Sequence, residues 1–136
     1  MRQYVLDANA ITRYLTKGSG IEKLDSLFAQ ARQGDAHLSI SVNNRGEVLY
    51  QLARRAGLQE ATKTLQALAR STESVGITEE QADAAAALKF IYKLGYADCF
   101  AAELAMRTGA TIVTADPDFA KLGKQLKILA LPRHRE

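Results

Sequence analysis

Four carboxylate side chains stand close to predicted element boundaries, at Asp7, Glu47, Asp98 and Asp116. Asp7 directly follows an apolar run, Glu47 comes shortly after a second one, and Asp116 comes soon after a third, which ends at Thr114. Asp98 is predicted to lie in the first turn of a helix, where the helix dipole favours a negative charge. Carboxylate oxygens are the hard ligands that Mg²⁺ and Mn²⁺ prefer, so gathering these acids would create a site for either ion.

Each acid also has a purely structural explanation. Glu47 comes three residues after Asn44, which is the spacing of a capping box. Asp116 precedes Pro117 and is a good N-cap, and Asp7 or Asn9 could cap the first helix. Asp98 could simply favour a helix start. The pattern leaves each acid open to this interpretation, but four acids at one predicted edge favour a shared site.

Other site chemistries have little support in the sequence. The two histidines, His37 and His134, are far apart, and Cys99 is the single cysteine, so neither a zinc cluster nor a Ser-His-Asp or Cys-His catalyst is indicated. Thr114 could orient a neighbouring acid or bind a metal through water, although threonines are common at strand ends. Asp118 could join the site or be a solvated helix acid. Asn9 could line the site or cap the first helix.

The elements that would position these acids alternate between strands and helices. The apolar runs at 4–6, 37–42, 111–114 and 127–130 predict strands, and Val75 with Ile77 predicts a brief further one. Helical apolar spacing lies between them, with capping boxes predicted at Ser19–Glu22 and Thr78–Gln81 and a cap at Asn44. Short continuous apolar strands separated by helices predict an α/β fold, with a parallel sheet covered on both faces. In such sheets ligands bind beyond the carboxyl ends of the strands, where these acids fall.

Length and composition limit the class of protein. The 136 residues predict one domain, 1–136, with 132–136 as a flexible tail. One cysteine excludes an internal disulfide, and the absence of a long apolar run predicts no membrane span and a cytoplasmic protein.

The charge balance favours a polyanionic partner if the acids share a site. With four acids withdrawn into one metal site, 18 basic side chains face 11 of the 15 acidic ones, a surface that would attract a polyanion. Arg13, Arg45, Arg54 and Arg55 could meet phosphates, with Arg13 and Arg45 the first candidates for the rim of the site. A solvated helix face explains Arg54 and Arg55 equally well.

Four segments resemble the motifs of the PIN-domain family, in order and over nearly the whole chain. Residues 4–10 are similar to the opening strand and first acid, and residues 40–48 to the second-acid segment. Residues 96–99 are similar to the third-acid helix, and residues 114–119 to the closing motif. The nearest subgroup by resemblance is the VapC-type toxins of toxin–antitoxin pairs. Asn43-Asn44-Arg45 is more polar than the family's pattern, and Ala8 stands where a hydroxyl residue is frequent.

This resemblance implies a three-layer α/β/α sandwich with a short central parallel sheet. It implies an endoribonuclease that depends on Mg²⁺ or Mn²⁺ and hydrolyses RNA phosphodiester bonds, with Asp7, Glu47, Asp98 and Asp116 as the catalytic and metal-binding residues. It further implies a cognate antitoxin and a homodimer. Two alternatives remain at this point, a degenerate PIN-type RNA-binding module without activity and a phosphatase of the haloacid dehalogenase type. The phosphatase is disfavoured because Asn9 stands where its second acid should be.

Overall fold

The computed structural model describes residues 1–132, which form five strands, six α-helices and one 3₁₀ helix. The strands are β1 (Arg2–Leu6), β2 (Ala36–Ser41), β3 (Glu73–Val75), β4 (Thr111–Thr114) and β5 (Lys127–Ala130). The helices are α1 (Ala8–Thr16), α2 (Ile21–Arg32), α3 (Val42–Ala56), α4 (Leu58–Leu68), α5 (Glu79–Tyr92) and α6 (Tyr96–Thr108). The 3₁₀ helix covers Pro117–Gln125 and is kinked at Gly123.

All five strands are parallel and form one sheet in the order β3-β2-β1-β4-β5. β1 is central, with Val5 paired with Ser39 of β2 and Leu6 paired with Val113 of β4. The predicted parallel sheet is therefore confirmed. Because β1, β2 and β4 are adjacent, the chain segments that leave their carboxyl ends begin side by side.

Side chains from alternate strand positions pack on opposite faces of this sheet, as the two-residue period of a strand requires. Tyr4 and Leu6 contribute to a core shared with α1, α2, α3 and α4. Val5 and Ile112 contribute to a second core shared with α5, α6 and the 3₁₀ helix. Helices cover both faces, which confirms the three-layer α/β/α sandwich and explains why the strands are continuously apolar.

Several predicted boundaries were wrong. The Ser19–Glu22 capping box is absent, because α2 is preceded by Gly20, which adopts a positive φ of 84° and makes no side-chain cap. Asn44 does not cap α3, which begins at Val42 after the N-cap Ser41. β3 ends at Val75 and does not reach Ile77. The second predicted capping box, Thr78 with Gln81, is present in full. Local side-chain chemistry alone therefore places element ends only approximately.

Two further expectations concern the surface and the end of the chain. No helix within residues 1–132 has the length and apolar character needed to cross a membrane. Of the predicted tail, only Pro132 is described, and 133–136 lie outside the described residues, so the tail remains a prediction. Leu131, directly before it, is buried, and its N–H donates to the carbonyl of Thr114.

Candidate metal centre

Asp7 is the most deeply placed of the four acids, with 2% of its surface exposed. It directly follows β1 and is the N-cap of α1, where its Oδ1 accepts a hydrogen bond of 2.9 Å from the N–H of Ala8. The capping role that the sequence offered as an alternative is therefore real. It uses only one of the two carboxylate oxygens, and the other oxygen faces the carboxyl end of β4.

Thr114 and Asn9 hold that second oxygen in place. The hydroxyl of Thr114, the last residue of β4, donates to Asp7 Oδ2 at 2.8 Å, and Asn9 Nδ2 donates to the same oxygen at 3.0 Å. Asn9 Oδ1 in turn accepts from the N–H of Ala115 at 3.1 Å. Thr114 thus hydrogen-bonds the carboxylate of Asp7, which fits one of the two roles that the sequence left open, and Asn9 donates to the same oxygen. Together they join the ends of β1 and β4.

Asp116 is tied to the same network through the backbone. Its N–H donates to Thr114 Oγ1 at 3.0 Å, and its Oδ1 accepts from the N–H of Asp118 at 2.9 Å, so it caps the 3₁₀ helix. Asp116 is half-buried, whereas Asp118 is exposed. The solvated-acid interpretation of Asp118 fits this placement, and Asp118 is not part of the buried network.

Asn44 joins the helices that carry the other two acids. It is fully buried in the first turn of α3, and its Nδ2 donates to the carbonyl of Ala97 in α6 at 3.0 Å. Asp98 follows Ala97 directly, and Glu47 lies one turn after Asn44 on the same helix face. This bond therefore joins α3 and α6 close to the positions of Glu47 and Asp98. It also removes the capping-box explanation of Glu47, because Asn44 is not a cap.

Sequence reasoning missed the role of Asn44. In the sequence, Asn43-Asn44-Arg45 looks like a polar irregularity and a helix start, although the spacing of three between Asn44 and Glu47 places both on one face. The three-residue spacing between Asn44 and Glu47 was the available signal that Asn44 faces the site. A buried amide at that position needs a hydrogen-bond partner. The partner itself is a backbone carbonyl 53 residues away, which no local pattern identifies.

The electrostatics show that all four acids interact. Burial raises the pKa of Asp7 to about 6, against the hydrogen bonds from Thr114 and Ala8, and the charges of Glu47 and Asp116 raise it further. Burial also raises the pKa of Asp98 to about 7, together with the charges of Asp7, Asp116 and Glu47 and a hydrogen bond shared with the Asp116 carboxyl. Within residues 1–132 none of the four forms an ion pair, so their repulsion is not balanced by a cation.

The donor set suits a divalent metal ion, but the carboxylates do not form a complete coordination site. Oxygen-only, negatively charged ligands fit Mg²⁺ or Mn²⁺, and an ion would offset both the burial and the repulsion that raise the pKa of Asp7 and Asp98. In the part of the chain that is described, no three Asp, Glu, His or Cys side chains converge closely enough to hold one ion as they stand. Asp98 and Asp116 are half-buried, so their carboxylates can be reached from solvent.

The family profile described as PIN domain matches residues 4–125. Among solved structures, the chain resembles VapBC2 from Rickettsia felis bound to a DNA fragment from its promoter, with a TM-score of 0.76, 17% identity and coverage of 95% of this chain and 98% of that one. It resembles the DNA-bound VapBC of Salmonella typhimurium with a TM-score of 0.74, 17% identity and coverage of 96% and 98%. It resembles FitAcB from Neisseria gonorrhoeae with a TM-score of 0.64, 19% identity and coverage of 93% of this chain and 96% of that one.

A search of curated protein sequences gave no match. The structural similarities, at 17–19% identity, establish the fold. The profile match spans β1 to the 3₁₀ helix and includes all four acids. The chain belongs to the PIN domain family.

Proposed function

We propose that this protein is a metal-dependent endoribonuclease and the toxin of a toxin–antitoxin pair. The observation that carries the proposal is that Asp7, Glu47, Asp98 and Asp116 lie near the carboxyl ends of the neighbouring strands β1, β2 and β4, where burial, together with the charges of the other acids, raises the pKa of Asp7 and Asp98. PIN domains are typically nucleases and generally use a divalent metal. The similarity of the fold to chains of VapBC complexes supports the toxin assignment.

In this proposal the four carboxylates hold Mg²⁺ or Mn²⁺. The ion, when bound, lowers the pKa of a water molecule and stabilises the negative charge that develops on the phosphate oxygens. Thr114 and Asn9 keep Asp7 aimed at the site through their hydrogen bonds to Oδ2. Glu47 and Asp98, on the two helices that the Asn44 hydrogen bond joins, would supply further oxygens, and one of them would accept the proton of the attacking water.

The same carboxylates suit an inhibitory partner. Buried acids that repel one another are stabilised by any cation, and a guanidinium matches a carboxylate with two parallel hydrogen bonds. A cognate antitoxin carrying an arginine into the site would therefore compete with the metal. A homodimer, which the family resemblance implies, and a cytoplasmic location are further parts of the proposal.

The nuclease proposal is tested with purified protein, a labelled single-stranded RNA and Mg²⁺ or Mn²⁺. Cleavage inside the RNA is expected with either ion and is expected to stop on addition of EDTA or in Asp98→Asn. Asp118→Asn is the matched control, since it removes an acid from the same region without touching the network. Asp98→Asn that cuts as fast as the parent would refute the assignment. Hydrolysis of a simple phosphate monoester but not of RNA would favour a phosphatase, and RNA binding without cleavage would favour the inactive module.

The toxin assignment needs a separate test. Expression of the chain alone is expected to slow growth, and co-expression of an adjacent small reading frame is expected to restore it and to yield a complex that does not cleave RNA. If no product of a neighbouring gene binds the protein and expression alone leaves growth unchanged, the toxin assignment fails while the nuclease assignment stands.

A further inference from the structure

A cleft of about 410 Å³ opens between α1 and α3. It is lined by Thr12, Gln51, Arg54 and Arg55. A hydrogen bond of 3.0 Å from the Thr12 hydroxyl to Gln51 Oε1 joins the two helices at this point. The lining carries two guanidinium groups and no acid, so the cleft is strongly basic although the nearby site is strongly acidic.

The cleft continues the acidic site along one face of α3. Glu47 and Gln51 are four residues apart, and Arg54 and Arg55 follow three and four residues later, which is the spacing of one helix face. At about 1.5 Å per residue, Gln51 lies about 6 Å beyond Glu47 along the helix axis, and the arginines lie about 11 Å beyond it. A single extended ligand can therefore contact both ends of this face.

The two arginines are available to such a ligand. Both are exposed, and within residues 1–132 neither forms an ion pair. The Arg54 guanidinium lies 5.7 Å from the ring centre of Tyr50, which is 64% exposed. Arg13 differs, because its guanidinium already contacts the carbonyls of Ser19 and Pro132. The sequence favours Arg13 as a rim residue, but the structure gives it a role in holding the chain together.

We propose that this cleft is a substrate subsite that holds the RNA strand beside the bond to be cut. This inference rests on the proposed function. Arg54 and Arg55 bind backbone phosphate, and Tyr50 offers an exposed ring on which an unpaired base can stack, which is how single strands are held without base pairing. All four lining side chains are of polar type and two carry a positive charge, which suits a polyanion better than an apolar protein segment. The RNA strand thus enters through the basic cleft and reaches the four acids, which can accept its phosphate only when a metal ion is bound.

The test measures binding of a short fluorescent single-stranded RNA by anisotropy in EDTA, at several salt concentrations, so that no cleavage occurs. The double variant Arg54→Gln/Arg55→Gln is expected to bind roughly tenfold more weakly at low salt. Its plot of log affinity against log salt should be shallower by about 0.7 for each phosphate that is no longer neutralised. Tyr50→Ala is expected to weaken binding roughly 5- to 150-fold with an unchanged salt slope. In cleavage assays with metal, the double variant should raise KM and leave kcat near that of the parent.

The control is Arg32→Gln/Arg70→Gln, which removes two exposed arginines that do not line the cleft. It is expected to keep the parent's affinity and salt slope, and circular dichroism should confirm that every variant is folded. If the parent cleaves RNA and the Arg54/Arg55 variant binds RNA as the parent does, the subsite is refuted and the proposed function stands. If that variant loses only capture of a co-expressed partner protein, the cleft is a protein surface and the RNA assignment is wrong. If the parent neither binds nor cleaves RNA, both proposals fail.

Discussion

The burial of Asp7 and Asp98, reinforced by the charges of the neighbouring acids, predicts that the metal-free protein becomes less stable as pH rises, and that Asp98→Asn removes much of this loss. The folded protein raises the pKa of Asp7 to about 6 and that of Asp98 to about 7, from 3.8. Between pH 4 and 7 the folded state therefore binds more protons than the unfolded chain, and the free energy of unfolding must fall as pH increases. Stability is fully present below about pH 4 and is lost as each group ionises in the folded state.

The magnitude follows from these pKa differences. For buried Asp7 the change corresponds to about 3 kcal/mol, at about 1.4 kcal/mol per pKa unit. For Asp98 the unscreened figure is about 4 kcal/mol, which we halve to about 2 kcal/mol because the side chain is partly exposed. The two contributions overlap, since protonating either acid relieves the other. Asparagine is neutral and similar in shape to aspartate. The free energy of unfolding of Asp98→Asn should therefore exceed that of the parent by about 2 kcal/mol at pH 8 and nearly equal it at pH 4.

The assay is urea unfolding in EDTA at pH 4, 6 and 8, followed by circular dichroism, for the parent, Asp98→Asn and the control Asp118→Asn. The control should follow the parent, because Asp118 is exposed and lies outside the buried network. A parent whose stability does not fall between pH 4 and 8 would refute the reasoning. So would an Asp98→Asn variant that is no more stable than the parent at pH 8.

Three further predictions concern the same region. Thr114→Val removes a hydrogen-bond donor to Asp7 and should lower the free energy of unfolding by about 1–3 kcal/mol. The same change should move metal binding to higher pH, and metal binding equal to that of the parent at every pH would contradict this prediction. Gly95→Ala places a Cβ 3.2 Å from Asp98 Oδ2 and should reduce metal-dependent cleavage. In the control Gly46→Ala the new Cβ meets nothing within 4 Å, so this variant should keep full activity and gain about 0.5–1 kcal/mol in free energy of unfolding. Equal activity of the two variants would contradict the prediction for Gly95→Ala. Mn²⁺ should raise the melting temperature more at pH 8 than at pH 6, because binding requires ionised carboxylates, and a pH-independent rise would argue against this site.

The sequence predicted the fold well because its main determinant is local. Continuous apolar runs such as Tyr4-Val5-Leu6 favour strands buried on both faces, and helical spacing between them requires crossovers, which together dictate a parallel three-layer sandwich. The boundaries were less predictable. Asn44 has every local property of a helix cap, and only packing against Ala97 reveals that it lies inside α3. Helix starts decided by tertiary contacts are therefore the part that local chemistry misses.

The sequence nominated the four acids as candidates, but it did not give the geometry that surrounds them. Asp7 and Asp116 follow strands that are neighbours in the sheet, so their placement follows from topology alone. The tasks of Thr114 and Asn9 could not be decided in advance, because each depends on a contact more than 100 residues away in the chain. The basic cleft was also out of reach, since it needs the relative position of α1 and α3, and the sequence indicated only that Arg54 and Arg55 could meet phosphates.

The central claim is that Asp7, Glu47, Asp98 and Asp116 form one metal site, and calorimetric titration with Mn²⁺ at pH 8 tests it most directly. The parent is expected to bind Mn²⁺. Asp7→Asn, Glu47→Gln, Asp98→Asn and Asp116→Asn are each expected to bind at least about tenfold more weakly while circular dichroism shows them folded. Asp118→Asn is expected to bind as the parent does. A parent affinity retained in all four variants would contradict the account, as would a loss that Asp118→Asn shares equally.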